Sequence, residues 1–496
     1  MMDPSKPGAA GYYHPENEED IRQLISRAKQ ENLKIRVRGS AHSVNAAIYT
    51  RDYESPPGDE RDINIFLDNM RGIVFDDKEM QVTVQAGCHM GRDPADPTKT
   101  STEENSLVHQ LEQRKWALPI TGGIIHQTVG GFLSTGSSGG SLDHSLGDQL
   151  EALTIIDGKG DRQELKRSDD LDDRFYGAAV SMGLLGILTS ATFKCVPSFN
   201  VTGQEATSSY EKCAIDLFGD GDADKRSLER FFRETEYSRC MWWPQKGVRR
   251  IVVWKAKKLP GTPPKPFPKP YHELPIILGS TKPAQIAAGI FMRIVGILNP
   301  PGPCSFFGKL IRSLIRPLYF AGANYFLASS VLGPQEFSDV WHRGIPMDNG
   351  VDFKWMPTEF LEMWIPISRT KEVMRKLHRH YKFSDIARTG TYCVEIYATP
   401  SNYFWMSPAY RQDVVKLDFF WFETNKGNPS TDFYPQFWDL LKDFDFRPHW
   451  GKYLLKDPGY LKDQYPMWDK FMDLRNELDP DQIFVTEYWR NHLGIE

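Results

Sequence analysis

Leu33-Lys34-Ile35-Arg36-Val37 alternates apolar and polar residues with the two-residue period of a half-buried strand. Just upstream, Ile21, Leu24, Ile25 and Ala28 recur at helical spacing behind Glu18-Glu19-Asp20, acids that suit a helix N-terminus. Ile63 to Leu67 and Val82 to Gly87 read as strands, and Leu153 to Gly160 as a strand running into a hairpin turn. A glycine-rich turn, Gly183-Leu184-Leu185-Gly186-Ile187-Leu188, feeds a strand over Thr189 to Val196. Beyond Phe199 the strands lengthen and become aromatic, as in Met241-Trp242-Trp243-Pro244 and Arg250 to Trp254. Leu361 to Pro366 and Tyr392 to Ala398 read as strands, with a helix from Thr370 to Tyr381 between them. Met467, Phe471, Leu474 and Leu478 mark a last helix, closed by Asp479-Pro480. The pattern predicts an α+β protein with mixed sheets.

One stretch breaks this texture. The proline-rich run from Leu259 to Pro270 is a stiff spacer. After it, no acidic residue stands between Glu273 and Glu336, whereas Lys282, Arg293, Lys309, Arg312 and Arg316 are basic. Ile286 to Leu298 is apolar apart from Arg293, and Lys309 to Arg316 sets leucines and isoleucines against basic residues at helical spacing. Neither segment reaches the roughly 18–20 residues needed to span a bilayer. The pattern predicts an interfacial amphipathic hairpin at 284–320, basic face toward anionic lipid, and hence an intracellular, peripherally or monotopically membrane-associated protein. The competing reading is a buried helix pair inside the second domain.

At 496 residues the chain has room for two or three domains. Its 40% hydrophobic and 25% charged content is that of a folded protein. A net charge of −5 provides no basic excess for phosphates, which argues against nucleic acid as a partner. Cys88, Cys195, Cys213, Cys240, Cys304 and Cys393 are far apart, a spacing that suits neither a zinc site nor a disulfide framework, and no metal site is expected. Met1 to Gly11 is polar and Pro/Gly-rich, so no signal peptide is expected.

The chemistry concentrates in two loops. Arg38-Gly39-Ser40-Ala41-His42-Ser43 follows the first alternating run. A second passage runs from Thr121-Gly122-Gly123 through Thr128 and Gly130-Gly131 to Ser134-Thr135-Gly136-Ser137-Ser138-Gly139-Gly140. Backbone N–H groups without Cβ atoms in the way converge on phosphate oxygens, and two separated loops can cradle a long pyrophosphate cofactor. Neither passage fits the GxGxxG of a nicotinamide site, and no GxxxxGK[ST] is present.

Together with their surroundings these passages resemble the vanillyl-alcohol-oxidase (PCMH) type of FAD-binding domain, nearest the sugar-1,4-lactone oxidase (L-gulonolactone and D-arabinonolactone oxidase) and alditol oxidase branch. The motifs are Gly39-Ser40-Ala41-His42-Ser43, Ser134 to Gly139, Arg447-Pro448-His449-Trp450-Gly451-Lys452, and a closing set, Tyr465-Pro466, Phe471, Arg475, Leu478-Asp479-Pro480 and Phe484. They cover roughly 1–200 and 340–496; the stretch from about 255 to 335 has no counterpart. The resemblance implies FAD bound by residues 1–200 under a substrate cap formed by 201–496, with His42 bonded covalently to the flavin. Arg38 to Ser43, Gly122, Gly123, Thr128, Ser134, Gly136, Ser137 and Ile187 form the expected cofactor site.

For the reaction, a hydroxyl-bearing carbon gives a hydride to flavin while its O–H proton leaves. The resemblance implies that Lys452 holds the hydroxyl by its charge and Glu395 anchors or deprotonates it, with His449 in support. Glu359 and Glu362 read as strand-edge surface charges. Three departures bear on the substrate: the family's Glu-x-Arg is Glu395-Ile396-Tyr397, a pocket serine is Gly123, and a Thr-His is Ser137-Ser138. These three losses of polar grip favour a different, less polar substrate. Gly122, where relatives that exclude oxygen carry a larger residue, points to O2 as acceptor and H2O2 as product. A sugar-1,4-lactone is the first substrate expected, and a hydrophobic alcohol or lipid-linked sugar, oxidised at the membrane surface by an oxidase or dehydrogenase, the second.

Overall fold

The computed structural model describes residues 6–8, 11–51, 62–244, 249–260, 268–298, 310, 314, 333–351, 354–383, 391–423 and 427–496. Helix α1 (Glu18–Glu31) begins at Asn17, whose side chain accepts the N–H groups of Glu19 and Asp20, and buries Ile21, Leu24, Ile25 and Ala28. It packs beside a small parallel sheet, β1 (Tyr12–Tyr13), β2 (Ile35–Arg38) and β3 (Ile63–Phe66), in the order β1-β3-β2. An antiparallel sheet follows, from β4 (Ile73–Asp76), β5 (Gln81–Gln85), β6 (Leu150–Ile156), β7 (Arg162–Lys166) and β8 (Ile187–Lys194), in the order β4-β5-β8-β6-β7. The expected hairpin turn is the link between β6 and β7. Helix α2 (Val129–Ser134) carries the middle of the second glycine-rich passage.

The larger layer is an eight-stranded antiparallel sheet. Its strands are β9 (Asn200–Ser209), β10 (Tyr237–Trp243), β11 (Arg250–Leu259), β12 (Gln335–Val340), β13 (Thr358–Pro366), β14 (Thr391–Thr399), β15 (Val414–Phe422) and β16 (Arg447–Pro448). The spatial order is β12-β9-β11-β10-β14-β15-β13-β16, so strands far apart in sequence lie side by side. The predicted strands and helices of this half are present, each within a few residues of its expected bounds.

The end of the chain returns to the first layer. After the closing helix (Trp468–Leu478), Ile483 and Phe484 join the core formed by Ile35, Ile63 and Ile65. The N–H of Ile35 donates to the carbonyl of Ile483 at 2.8 Å, and the Trp489 indole donates to the carbonyl of Ala47 at 3.1 Å.

Helix α3 (Lys282–Leu298) occupies the apolar stretch. Ala284 and Ala288 are buried, Gln285 donates from Nε2 to the Gly350 carbonyl at 2.9 Å, and a Cβ on Gly289 would lie 2.2 Å from the Trp355 carbonyl oxygen. Of its other described side chains, Lys282, Ile290 and Arg293 are exposed. Along its described side chains the helix is thus docked through Ala284, Gln285, Ala288 and Gly289, whereas the segment expected to pair with it lies mostly outside the described residues. Among the described residues, no helix is long and apolar enough to cross a membrane. Most of the second apolar segment, 309–320, and most of the proline-rich run lie outside the described residues. The described cysteines are buried and free.

Candidate active site

A cleft of about 2090 Å³, open mouth included, separates the two layers. Every predicted cofactor residue except Gly136 lines it. Gly136 sits behind, where φ of +71° turns the chain after α2. The first loop leaves β2 and reverses at Ala41, whose φ of +57° tilts successive N–H groups to one side. A Cβ on Gly39 would meet Thr128 Oγ1 at 2.5 Å, so the two glycine-rich passages touch there. Thr128 in turn caps α2 by accepting the Gly131 N–H at 3.2 Å, and the Ser40 hydroxyl donates to the His126 carbonyl at 2.7 Å. Arg38 Nε and Nη1 are buried with no hydrogen-bond partner among the described residues. Orphaned guanidinium donors beside crowded bare backbone fit a bound pyrophosphate, so the residues present suit FAD. His42 faces the same cleft; burial, Lys452 and His126 pull its pKa down to about 3, which keeps the imidazole neutral.

The opposite wall is built by register. Glu362 on β13 pairs with Asp418 on β15, and Asp418 pairs with Glu395 on β14. Two residues along the same face, Trp364 pairs with Lys416 and Lys416 with Tyr397. Side chains alternate along a strand, so these six form two rows on one side of the sheet. Lys416 Nζ lies 3.7 Å from the centre of the Tyr397 ring and donates to the Ser138 carbonyl at 2.7 Å. Lys452 Nζ lies 3.9 Å from the centre of the Phe360 ring and donates to the His42 carbonyl at 2.7 Å. His449 is buried, and its Nδ1 accepts the Gly451 N–H at 3.1 Å.

Burial sets the protonation of this wall. It pushes Glu395 well above the carboxylate range, with Asp348 adding to the effect. It does the same to Asp418, which lies between Glu362 and Glu395. Burial lowers Lys416 and Lys452 to about 8, with neighbouring carboxyls opposing the shift, and lowers His449 to about 4. At neutral pH the wall therefore presents neutral acids as hydrogen-bond donors beside two lysines still able to carry charge.

Several of these groups escaped the sequence reading. Glu362 is not a surface charge: it is 4% exposed, lines the cleft and accepts the Trp364 indole N–H at 2.7 Å. Lys416, Asp418, Asp348 and Arg239 were not singled out. An alternating charge inside an otherwise apolar strand, as in Val415-Lys416-Leu417-Asp418-Phe419, was the available signal. The expectation of lost polar grip also changes. Tyr397 replaces an arginine, but its hydroxyl donates to Asp418 Oδ2 at 3.2 Å and its ring carries Lys416, so polarity is redistributed and not lost.

Residues 311–492 match the D-arabinono-1,4-lactone oxidase family, and residues 9–92 match the FAD binding domain. The chain is similar to L-gulonolactone oxidase of Mus musculus, 24% identical over 96% of this chain and 93% of that protein. It is 28% identical to D-arabinono-1,4-lactone oxidase of Eremothecium gossypii over 50% of this chain and 40% of that one. It is 22% identical to L-gulono-1,4-lactone dehydrogenase of Mycobacterium tuberculosis over 97% and 95%. Among solved structures, cholesterol oxidase from B. sterolicum shares the fold, with a TM-score of 0.73 at 15% identity over 99% of this chain and 97% of that one.

Proposed function

The chain is an FAD-dependent oxidoreductase of the vanillyl-alcohol-oxidase type resembling the sugar-1,4-lactone oxidases, and from that premise we propose that it oxidises a ring hydroxyl of a sugar-1,4-lactone, with O2 as electron acceptor. The observation that carries this reading is the wall of Glu362, Glu395, Asp418 and Lys452 facing the glycine loops across the cleft. A polyhydroxylated lactone needs many fixed donors and acceptors, and an apolar alcohol does not. Residues 1–200 hold the cofactor and 201–496 form the cap.

When bound, FAD accepts the hydride and passes the electrons to O2, giving hydrogen peroxide. Arg38 and the two glycine loops hold its pyrophosphate, and neutral His42 is the residue for covalent attachment. Lys452, fixed over Phe360, steadies the substrate oxygen as negative charge develops on it. Glu395, protonated at neutral pH, anchors a hydroxyl, and His449 braces the turn that carries Lys452. Gly122 leaves the cleft wall bare for O2. Anaerobic bleaching of the purified yellow protein by L-gulono-1,4-lactone tests the proposal; a flavin that stays oxidised with that lactone and with D-arabinono-1,4-lactone rejects it.

The same reading includes peripheral contact with anionic membrane through 284–320. It rests on the acid-free, basic sequence and on exposed Ile290, with exposed Leu278 just before α3. Failure to sediment with phosphatidylserine vesicles at low salt ends it.

A further inference from the structure

We propose that Asp348 and Glu395 work as one carboxyl pair sharing a single proton, clamped by Arg239, and that this pair takes the substrate's hydroxyl proton. The inference rests on the oxidation proposed above and adds Asp348 to its catalytic residues.

Asp348 lies on the segment between β12 and β13, outside every motif that carries the family resemblance. Its backbone N–H donates to the Gly123 carbonyl at 3.0 Å, which ties this segment to the second glycine loop. A Cβ at Gly123 would fall 2.7 Å from Asp348 Oδ2. The carboxylate thus occupies space that any side chain at position 123 would need, and the glycine there is the counterpart of the acid.

Arg239 precedes Cys240, which pairs with Ile396, so it stands across from Tyr397, the place of the missing arginine. It is 1% exposed and sits between acids: its Nη1 is bonded to Asp348 Oδ1 and lies 3.4 Å from Glu395 Oε1, and its Nη2 lies 3.6 Å from Glu205 Oε2. It is therefore a positioning residue, whereas Asp348 and Glu395 both line the cleft. Both carboxyls converge on one nitrogen, Arg239 Nη1, and two acids brought that close retain a proton between them. Glu395 Oε1 is buried and, beyond the Arg239 ion pair at 3.4 Å, has no hydrogen-bond partner among the described residues, leaving an acceptor for a substrate hydroxyl.

Burial raises both acids; Asp348 raises Glu395 further, whereas Glu395 lowers Asp348, so Glu395 is the last of the two to ionise, and Arg239 opposes the rise in both. The other groups facing them are Glu205, Tyr271, Glu273, Lys416, Asp418 and Cys393. Two acids held on one guanidinium titrate as a unit: the last proton is retained to higher pH, sharing it makes the monoanion by itself a weaker base than a lone carboxylate, and burial offsets this by raising both groups. In the reaction the C–H bond breaks with its electron pair going to the flavin, and the C=O bond forms. The O–H proton passes to the pair, which then carries two protons and releases one to solvent through the cleft.

The test uses the holoenzyme, its Asp348→Asn and Glu395→Gln variants, and two readouts. Infrared difference spectroscopy needs no substrate. Beyond the bands of other buried acids such as Asp418, the wild type shows a protonated-carboxyl band at neutral pH that D348N loses, because Glu395 alone beside Arg239 ionises. If the band survives in D348N and disappears only in E395Q, Glu395 is protonated by burial alone and the sharing is wrong. The second readout is the pH profile of anaerobic reduction by L-gulono-1,4-lactone. D348N lowers the rate at least tenfold, short of the ~10²–10⁴-fold for full loss of a general base, and moves the rising limb to higher pH, because the lone Glu395 anion no longer shares a partner's proton. An unchanged limb with a near-wild-type rate overturns the role of Asp348. A wild type that is not reduced by the lactone rejects the oxidation itself, while the infrared result still decides the pair.

Discussion

The two walls of the cleft are made in opposite ways. The flavin side is mostly backbone: glycines in contact, a left-handed Ala41, and donors converging from loops contiguous in sequence. The cap side is entirely side chains, drawn from strands separated by many residues and aligned only when the sheet forms. A site that must hold an anion needs N–H groups and room, which a short motif can encode. A site that must grip hydroxyls and move a proton needs charges at fixed mutual distances, which only register can provide. The binding wall is therefore the more constrained in sequence, and the chemical wall the freer to vary.

The sharpest way to break this contrast is on the chemical wall. Glu395→Gln should lower the anaerobic reduction rate about 10²–10⁴-fold while the protein remains yellow, measured by stopped-flow absorbance. On the binding wall, Gly39→Val forces a side chain onto Thr128 Oγ1 and should strongly reduce the flavin-to-protein absorbance ratio of the purified chain. His42→Ala should leave FAD bound but extractable by acid, whereas the wild-type flavin stays with the precipitated chain.

The lysines give a pH test with a definite sign. Lys452 and Lys416 titrate near 8, below the usual 10.5 for lysine, because they are buried. Reduction should slow as pH rises through about 8, where the charge that steadies the substrate oxygen is lost. Stability should move the other way, since between about 8 and 10.5 the unfolded chain binds more protons than the folded one. Lys452→Arg should move the falling limb to higher pH. The smallest effect is expected at the surface: Ile290→Glu should change stability by about 0.5 kcal/mol or less by thermal melting, yet abolish vesicle binding if 284–320 contacts lipid.

Most elements of the fold were legible. The helix at Glu18–Glu31 shows its acidic start and 3.6-residue period directly, and β2, β8 and β14 show their alternation. The first loop and Lys452 were legible through contiguous motifs. Glu362 was misread because a single acid in a strand looks the same whether the strand lies at an edge or, as β13 does, between two neighbours. Tyr397 and Gly123 looked like losses because their partners, Lys416 and Asp348, are distant in the chain and adjacent only in space.

The sequence alone thus determined the class of protein and the α+β make-up, because local pattern and short motifs carry those. Only the tertiary structure decided which charges meet. It set Glu362, Asp418 and Glu395 in one row and Asp348 against Gly123, and it enclosed Arg239 among acids. Register across a sheet and the closure of two layers are long-range choices, and the protonation of a buried carboxyl depends on every neighbour they bring to it.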